Sequence, residues 1–293
     1  MKGSHKAGFV NIIGNPNVGK STLMNALVGE RLSIITSKAQ TTRHRILGIV
    51  NDDNCQIIFS DTPGILKPAY LLQENMMQQV DTALGDADII LYVTDVIEKP
   101  TKNPEYLEKL NHIEVPVLIV LNKIDKSSQV EVLALIDQWH SLIPGAGIFP
   151  VSALERFNLD SLFNRILELL PKSPPWFDKE QLTDKSLRFF ASEIIREKIL
   201  INYTKEIPYC VEVTVEEFNE NEKMYNIRAV INVMRESQKG IIIGNRGSAL
   251  KRIGTQARLD MEDFFQKKVF LELFVKVLPN WRENKARLRQ FGY

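Results

Sequence analysis

The sequence predicts an α/β chain: a domain on a mostly parallel six-stranded sheet, followed by a smaller α+β domain. Three observations carry this expectation. Short apolar runs alternate with helical stretches as far as Leu170. A glycine-rich turn joins the first apolar run to the first helical stretch. Beyond a proline-dense break at Pro171-Lys172-Ser173-Pro174-Pro175-Trp176, the order changes to helix, strand, strand, helix, helix, strand.

The first-domain strands are expected at Val10–Ile13, Ile46–Val50, Gln56–Ser60, Asp88–Val93, Val115–Leu121 and Ile148–Val151. Helical spacing places helices at Leu71–Leu84, Glu105–His112, Val130–Leu142 and Leu159–Leu170. Asn51-Asp52-Asp53-Asn54 has the chemistry of a tight turn, so the second and third strands form an antiparallel hairpin. The other strands need crossover helices, hence a parallel sheet covered on both faces. In the second domain Leu187, Phe190, Ala191 and Ile194 form a helical stripe. Val211, Val213 and Val215 alternate, as do Ile227, Ala229, Ile231 and Val233, with Asn219-Glu220-Asn221-Glu222 as the turn between them. A short helix within Glu236–Ile242, a stripe of Leu250, Ile253, Ala257, Met261 and Phe264, and a strand at Val269–Val277 complete the order. The expected boundaries are 1–170, a linker over 171–186, and 187–293.

At 293 residues the chain has room for two domains. No apolar run approaches membrane-spanning length, and the N-terminus shows neither a signal-peptide pattern nor room for a transit peptide, so the cytoplasm is the expected location. Cys55 and Cys210 lie in strand-like runs and read as buried thiols. His5, His44, His112 and His140 lack metal-ligand spacing. The net charge of +1 conceals an asymmetry: from Glu236 to Tyr293, twelve basic residues face six acidic ones, a net of +6. A basic end on a near-neutral chain suggests either a polyanion partner for that end or a solvated charged face.

Gly14-Asn15-Pro16-Asn17-Val18-Gly19-Lys20-Ser21, between an apolar run and Thr22-Leu23-Met24-Asn25-Ala26-Leu27, has P-loop spacing. Glycines let backbone N–H groups turn inward around phosphate oxygens, and the helix N-terminus adds partial positive charge. Lys20 is placed to reach the terminal phosphates and Ser21 to hold Mg²⁺. Asp61-Thr62-Pro63-Gly64 ends a strand; Asp61 suits Mg²⁺ through water, and the Gly64 N–H suits the γ-phosphate. Asn122-Lys123-Ile124-Asp125 ends another. The Asp125 carboxylate matches the N1–H and 2-amino donors of guanine, and adenine offers no such pair. Ser152-Ala153-Leu154 ends the next strand, with the Ala153 N–H expected near guanine O6. Together these predict a GTP/GDP site on one sheet edge.

These motifs resemble those of translation-factor-related GTPases of the Ras-like fold. The resemblance implies a first switch over about Arg31–Arg45, with Thr42, or secondarily Thr41, ligating Mg²⁺ in the GTP state. The second switch starts at Gly64. Ile65 stands where Ras-like enzymes carry the glutamine that orients the attacking water, and it has no hydrogen-bonding group. Slow turnover, or help from elsewhere, is therefore implied. Asn17 is similar to P-loop asparagines that coordinate K⁺ beside the phosphates; the alternative is a polar residue capping its own turn. The resemblance thus assigns catalysis to Lys20, Thr42, Gly64 and Asn17.

In the second domain, Gly240-Ile241-Ile242-Ile243 leads into Gly244-Asn245-Arg246-Gly247. A GxxG loop between two helices, in this element order, resembles the type II KH fold. The glycines would let backbone run against a nucleic-acid backbone. Lys239, Arg246, Lys251, Arg252 and Arg258 would supply charge, and the adjacent strand with Ile242 and Ile243 the groove for unstacked bases.

The whole chain resembles the Era family, bacterial ribosome-assembly GTPases with a C-terminal KH domain. The carriers are Gly14–Ser21, Lys38–Arg45, Asp61–Gly64, Asn122–Asp125, Ala191–Lys198, Gly244–Gly247 and the ending around Trp281-Arg282 and Leu288–Tyr293. The resemblance implies binding of the single-stranded 3′ end of 16S rRNA and action on the small (30S) ribosomal subunit. Tyr70-Leu71-Leu72 departs from the more basic stretch expected there. Two readings compete: a membrane-associated signalling GTPase whose second domain binds protein, and a nucleotide-gated scaffold that hydrolyses little.

Overall fold

The computed structural model describes residues 5–293; the residues before His5, part of the stretch read for a leader, lie outside them. The chain divides into two compact units. The first holds residues up to Ser33, Thr42–Lys67 and Met76–Asp184; the second holds Ile34–Thr41, Pro68–Asn75 and Lys185–Tyr293.

The first unit is built on six strands: β1 (Lys6–Gly14), β2 (Ile46–Asn51), β3 (Cys55–Asp61), β4 (Ile89–Asp95), β5 (Val117–Asn122) and β6 (Gly147–Pro150). Their order is β2-β3-β1-β4-β5-β6. Every neighbouring pair is parallel except the β2–β3 hairpin. β4 and β5 are buried at every residue, as a sheet covered on both faces requires. The helices are α1 (Lys20–Val28), α2 (Leu71–Gly85), α3 (Pro104–His112), α4 (Gln129–Leu142) and α5 (Leu159–Leu169). Their starts follow local chemistry. Pro104 opens α3, and Ser128 and Glu131 form a reciprocal capping box on α4. The proline-dense stretch does not swing free. Gln56 Oε1 accepts from Trp176 N at 2.7 Å and Phe177 N at 3.0 Å, and Ile49 N donates to Leu182 O at 2.8 Å.

The second unit contains α6 (Leu187–Asn202), α7 (Ile207–Cys210), β7 (Glu212–Glu220), β8 (Met224–Val233), α8 (Glu236–Ile243), α9 (Ser248–Phe265), β9 (Lys268–Val277) and α10 (Lys285–Gln290). The sheet runs β7-β8-β9, antiparallel then parallel. Tyr225, Ile227, Ala229, Ile231 and Val233 project from β8 into a core shared with Ile195 and Ile199 of α6, Ile242 of α8, and Ile253, Ala257 and Met261 of α9.

Leu187 opens α6 as its helical spacing predicts and is 43% exposed. Two side-chain expectations are corrected. Cys55 is only half-buried, at the start of β3, whereas Cys210 is buried. Ile242 lies wholly in the core, so it lines no groove. Among the described residues no helix is long and apolar enough to cross a membrane.

Candidate nucleotide and nucleic-acid sites

In the first unit, β1, β3, β4, β5 and β6 end on the same edge of the sheet, which gathers the residues singled out by the motifs. Gly14 leaves β1 at φ 153°, and a Cβ there would stand 2.1 Å from Val93 O. Only glycine lets the chain turn off the strand so close to β4. Ile65 N donates to Gly14 O at 3.0 Å, and a Cβ on Gly64 would fall 2.7 Å from Pro16 N. The turn after β3 therefore lies directly against the P-loop.

Lys20 is buried, and its Nζ donates to Asn15 O at 2.8 Å and Gly14 O at 3.0 Å. Burial lowers its pKa to about 8, against the opposing pull of Asp61 and Glu98. Ser21, Thr42 and Asp61 converge: Ser21 Oγ donates to Asp61 Oδ2 at 2.7 Å, Thr42 Oγ1 does so at 3.2 Å, and the two hydroxyls are 2.9 Å apart. Asp61 Oδ1 is buried and has no hydrogen-bond partner. Burial raises the Asp61 carboxyl above the usual range, offset in part by Lys20 and the nearby hydroxyls of Ser21, Ser33 and Thr42. Two hydroxyls and a carboxylate with an unpaired oxygen form a hard oxygen donor set, which fits Mg²⁺.

Asn122 ties the edge together. Its Nδ2 donates to Val18 O at 2.8 Å, and its Oδ1 accepts from Ala153 N at 3.0 Å. A Cβ on Gly19 would stand 2.2 Å from that Nδ2, so Gly19 must stay bare. The Ala153 N–H, expected to face guanine O6, is thus engaged by Asn122. Lys123, at φ 62°, reaches Asp95 Oδ2 at 2.6 Å and Asn17 O at 2.5 Å. Burial pushes the Asp95 carboxyl up, but Lys123 and the N–H groups of Glu98 and Ile97 outweigh it and hold it below its ordinary value. Asp125 is exposed, and its Oδ1 accepts from Ser152 Oγ at 2.6 Å. That bond aims the carboxylate. Thr62 turns inward and donates to Ile12 O at 2.7 Å, so its hydroxyl braces β1. Asn17 is exposed at φ 66°, and the Ile65 side chain is buried.

The motifs gave no sign of Glu98, which accepts from Asn15 Nδ2 at 2.8 Å, or of Asn103, which donates to Asn15 Oδ1. Both lie in a polar stretch after β4 with no short-range signature.

In the second unit, Gly244, Arg246 and Gly247 all have positive φ, at 72°, 50° and 78°. A Cβ on Gly244 would stand 2.6 Å from Ala249 Cβ, whereas one on Gly247 would meet nothing within 4 Å. Gly244 therefore permits the turn into α9, and Gly247 leaves bare backbone facing open space. A cavity of about 380 Å³ runs from Gly247 along α9 to β9. Leu250, Leu271 and Leu273 give it apolar walls, and Lys251 and Arg258 give it charge. Arg246 and Asn245 stand exposed on the loop. Lys239, Ile243 and Arg252 do not line the cavity. An apolar slot with a cationic rim beside a bare loop suits an unstacked base and its phosphate.

Comparison with known proteins follows this division. A family described as 50S ribosome-binding GTPase matches residues 9–123, and the KH domain family matches residues 206–282. GTPase Era of Syntrophus aciditrophicus is 46% identical over 98% of this chain and 95% of its own. GTPase Era of Staphylococcus haemolyticus is 42% identical over 99% and 97%. Two solved structures superpose with a TM-score of 0.94 at 42% identity. One is an Aquifex aeolicus Era variant bound to GDP·AlF₄⁻, covering 98% of this chain and 99% of that one. The other is Era in complex with MgGDPNP and nucleotides 1506–1542 of 16S ribosomal RNA, covering 99% of each.

Replacing Asn122 by alanine leaves Val18 O and Ala153 N without their partner. We expect the nucleotide-free protein to lose about 1–3 kcal/mol per unpaired buried group, read by urea unfolding. Unchanged stability would show that Asn122 does not tie the edge.

Proposed function

Because this chain belongs to the Era family of GTPases, we propose that it hydrolyses GTP to GDP and phosphate and holds the single-stranded 3′ end of 16S rRNA while the small ribosomal subunit is assembled. The observation that carries the reading is the meeting of the P-loop, Thr42, Asp61–Gly64 and Asn122–Asp125 on one sheet edge, in a chain whose other unit carries the GxxG groove. The nucleotide chemistry falls to residues 1–170 and the RNA to 187–293, joined through 171–186. The work is done in the cytoplasm.

The backbone N–H groups from Asn17 to Thr22 cradle the phosphates, and Lys20 meets the β- and γ-phosphates. Ser21, Thr42 and Asp61 hold Mg²⁺, which neutralises charge on the phosphate oxygens. The Gly64 N–H faces the γ-phosphate. Asp125 reads guanine, and its bond from Ser152 supports this by orienting the carboxylate. With Ile65 buried, no side chain at that position orients the attacking water, so intrinsic turnover falls in the unassisted range, on the order of 10⁻⁴ to 10⁻² s⁻¹. Asn17 would hold K⁺ beside the phosphates, where the ion would supply positive charge to the transferring phosphoryl group. In the second unit the loop from Gly244 to Gly247 clamps the RNA backbone, and Lys251 and Arg258 meet phosphates along the cavity.

The experiment is nucleotide competition with a fluorescent GTP analogue. GTP and GDP displace it and ATP does not, while Asp125→Asn loses GTP and gains xanthosine triphosphate. Equal displacement of wild type by ATP would sink the guanine assignment. Replacing K⁺ by Na⁺ slows wild-type hydrolysis but leaves Asn17→Ala unchanged; equal wild-type rates in both salts would remove Asn17. By anisotropy, an oligonucleotide matching the 16S rRNA 3′ end binds with a log–log salt slope of about −0.7 per neutralised phosphate. Arg246→Ala flattens that slope and weakens binding across sequences. An unaltered slope would place the phosphate contacts elsewhere.

A further inference from the structure

The sheet of the first unit carries two buried polar side chains side by side. Asn11 of β1 and Ser60 of β3 are registered partners, and both are 0% exposed. They belong to none of the nucleotide motifs. A buried amide or hydroxyl is costly unless it is hydrogen-bonded, so the partner of the pair shows what it does. That partner is Arg45. Its Nε donates to Ser60 Oγ at 2.6 Å, and its Nη2 donates to Asn11 Oδ1 at 3.2 Å.

Arg45 is gripped from α2 as well. Asp86, directly after that helix, takes the guanidinium with both oxygens: Arg45 Nη1 donates to Oδ2 at 2.5 Å and Nη2 to Oδ1 at 3.0 Å. Asn11 Nδ2 donates to Asp86 Oδ1 at 2.7 Å and to Ala83 O at 2.6 Å, which fixes the carboxylate in turn. The Arg45 backbone N–H donates to Gln79 Oε1 at 2.7 Å. All these groups lie in the first unit. The Asp86 side chain is 45% exposed, so the ion pair adds little by attraction alone. Its worth lies in direction. A planar fork with five donors meets a hydroxyl, an amide and a carboxylate together; a lysine ammonium cannot match that geometry.

What Arg45 anchors is the chain leaving Thr42. The chain returns to the first unit at Thr42, whose hydroxyl meets Ser21 and Asp61. Three residues later Arg45 is bonded to Ser60, the neighbour of Asp61 on β3, and Ile46 then pairs with Asp61 itself. Three residues span at most about 11 Å, so a fixed Arg45 keeps Thr42 on a short tether beside Asp61. We infer that Arg45 is a positioning residue for Thr42, and that it favours the triphosphate nucleotide over the diphosphate. The inference rests on the GTPase reading, because Thr42 matters to the nucleotide only as a Mg²⁺ ligand in the triphosphate state. GDP, which lacks the γ-phosphate, is indifferent to Arg45.

The test compares Arg45→Lys and Arg45→Gln with wild type by calorimetric titration of GDPNP and GDP in excess Mg²⁺. Circular dichroism of the full chain reports that the variants are folded. We expect GDPNP affinity to fall about tenfold in both variants, the range of a lost charged hydrogen bond, and GDP affinity to stay within about twofold. A purely structural role would weaken both nucleotides together or neither. A GDPNP-to-GDP affinity ratio unchanged from wild type in folded variants would overturn the inference while leaving the GTPase reading intact. Wild type that binds neither nucleotide would overturn that reading and this inference with it. Should both Arg45 variants fail to fold, Asp86→Asn decides, because it loosens the same fork from a half-exposed position. A lowered GDPNP-to-GDP ratio in Asp86→Asn supports the inference, and the wild-type ratio overturns it.

Discussion

The nucleotide edge of the first unit depends on one buried amide. Asn122 is the last residue of β5, and its side chain hydrogen-bonds the P-loop at Val18 and the post-β6 turn at Ala153. Two loops that approach from different strands are thereby held in register by a single side chain with one donor and one acceptor spent. The contact is close enough to require glycine at position 19. The same edge uses bare backbone twice more, at Gly14 against Val93 and at Gly64 against Pro16. Close packing of turn on turn makes the edge a fixed set of N–H groups, and preorganised donors of this kind are what phosphate chemistry draws on.

Around that frame the charges are balanced in pairs rather than left to solvent. Lys123 bridges Asp95 and the P-loop at Asn17. Lys20 lies buried near Asp61, each working against the desolvation of the other. In the second unit the same logic operates along α6, where Glu193 holds Arg196 and Arg196 holds two backbone carbonyls. A helix that carries buried charge has given up packing energy, and the orientation of a chain segment is the return visible here.

Most of the fold was legible in sequence. The apolar runs coincide closely with the six strands of the first unit, because strands buried on both faces are nearly all apolar and leave little choice. Gly14–Ser21, Asp61 and Asn122–Asp125 were legible because their chemistry is local: each motif is short and sits at a strand end. The tie made by Asn122 was not, since Ala153 lies far along the chain from it and the Ala153 N–H looked free for a base. Glu98 and Asn103 were missed for the same reason. Ile242 looked like a groove residue because it precedes the GxxG loop, but helical rotation turns it into the core. The α6 charges were the hardest to read. Glu, Arg and Lys on a helix ordinarily mark a solvated face, and only the chain segment packed over them shows otherwise. The grouping of 34–41 and 68–75 with the second unit is a long-range fact that no local pattern encodes.

If these separate loops meet on one guanine nucleotide, that nucleotide must quiet all of them at once. Hydrogen–deuterium exchange of the full chain, with GDPNP·Mg²⁺, ATP·Mg²⁺ or no nucleotide, reads this most directly. With GDPNP·Mg²⁺, exchange should slow together at 14–22, 42–43, 61–65, 122–126 and 152–154, and ATP should produce none of it. Protection confined to the P-loop, or the same pattern with ATP, would contradict a shared guanine nucleotide site.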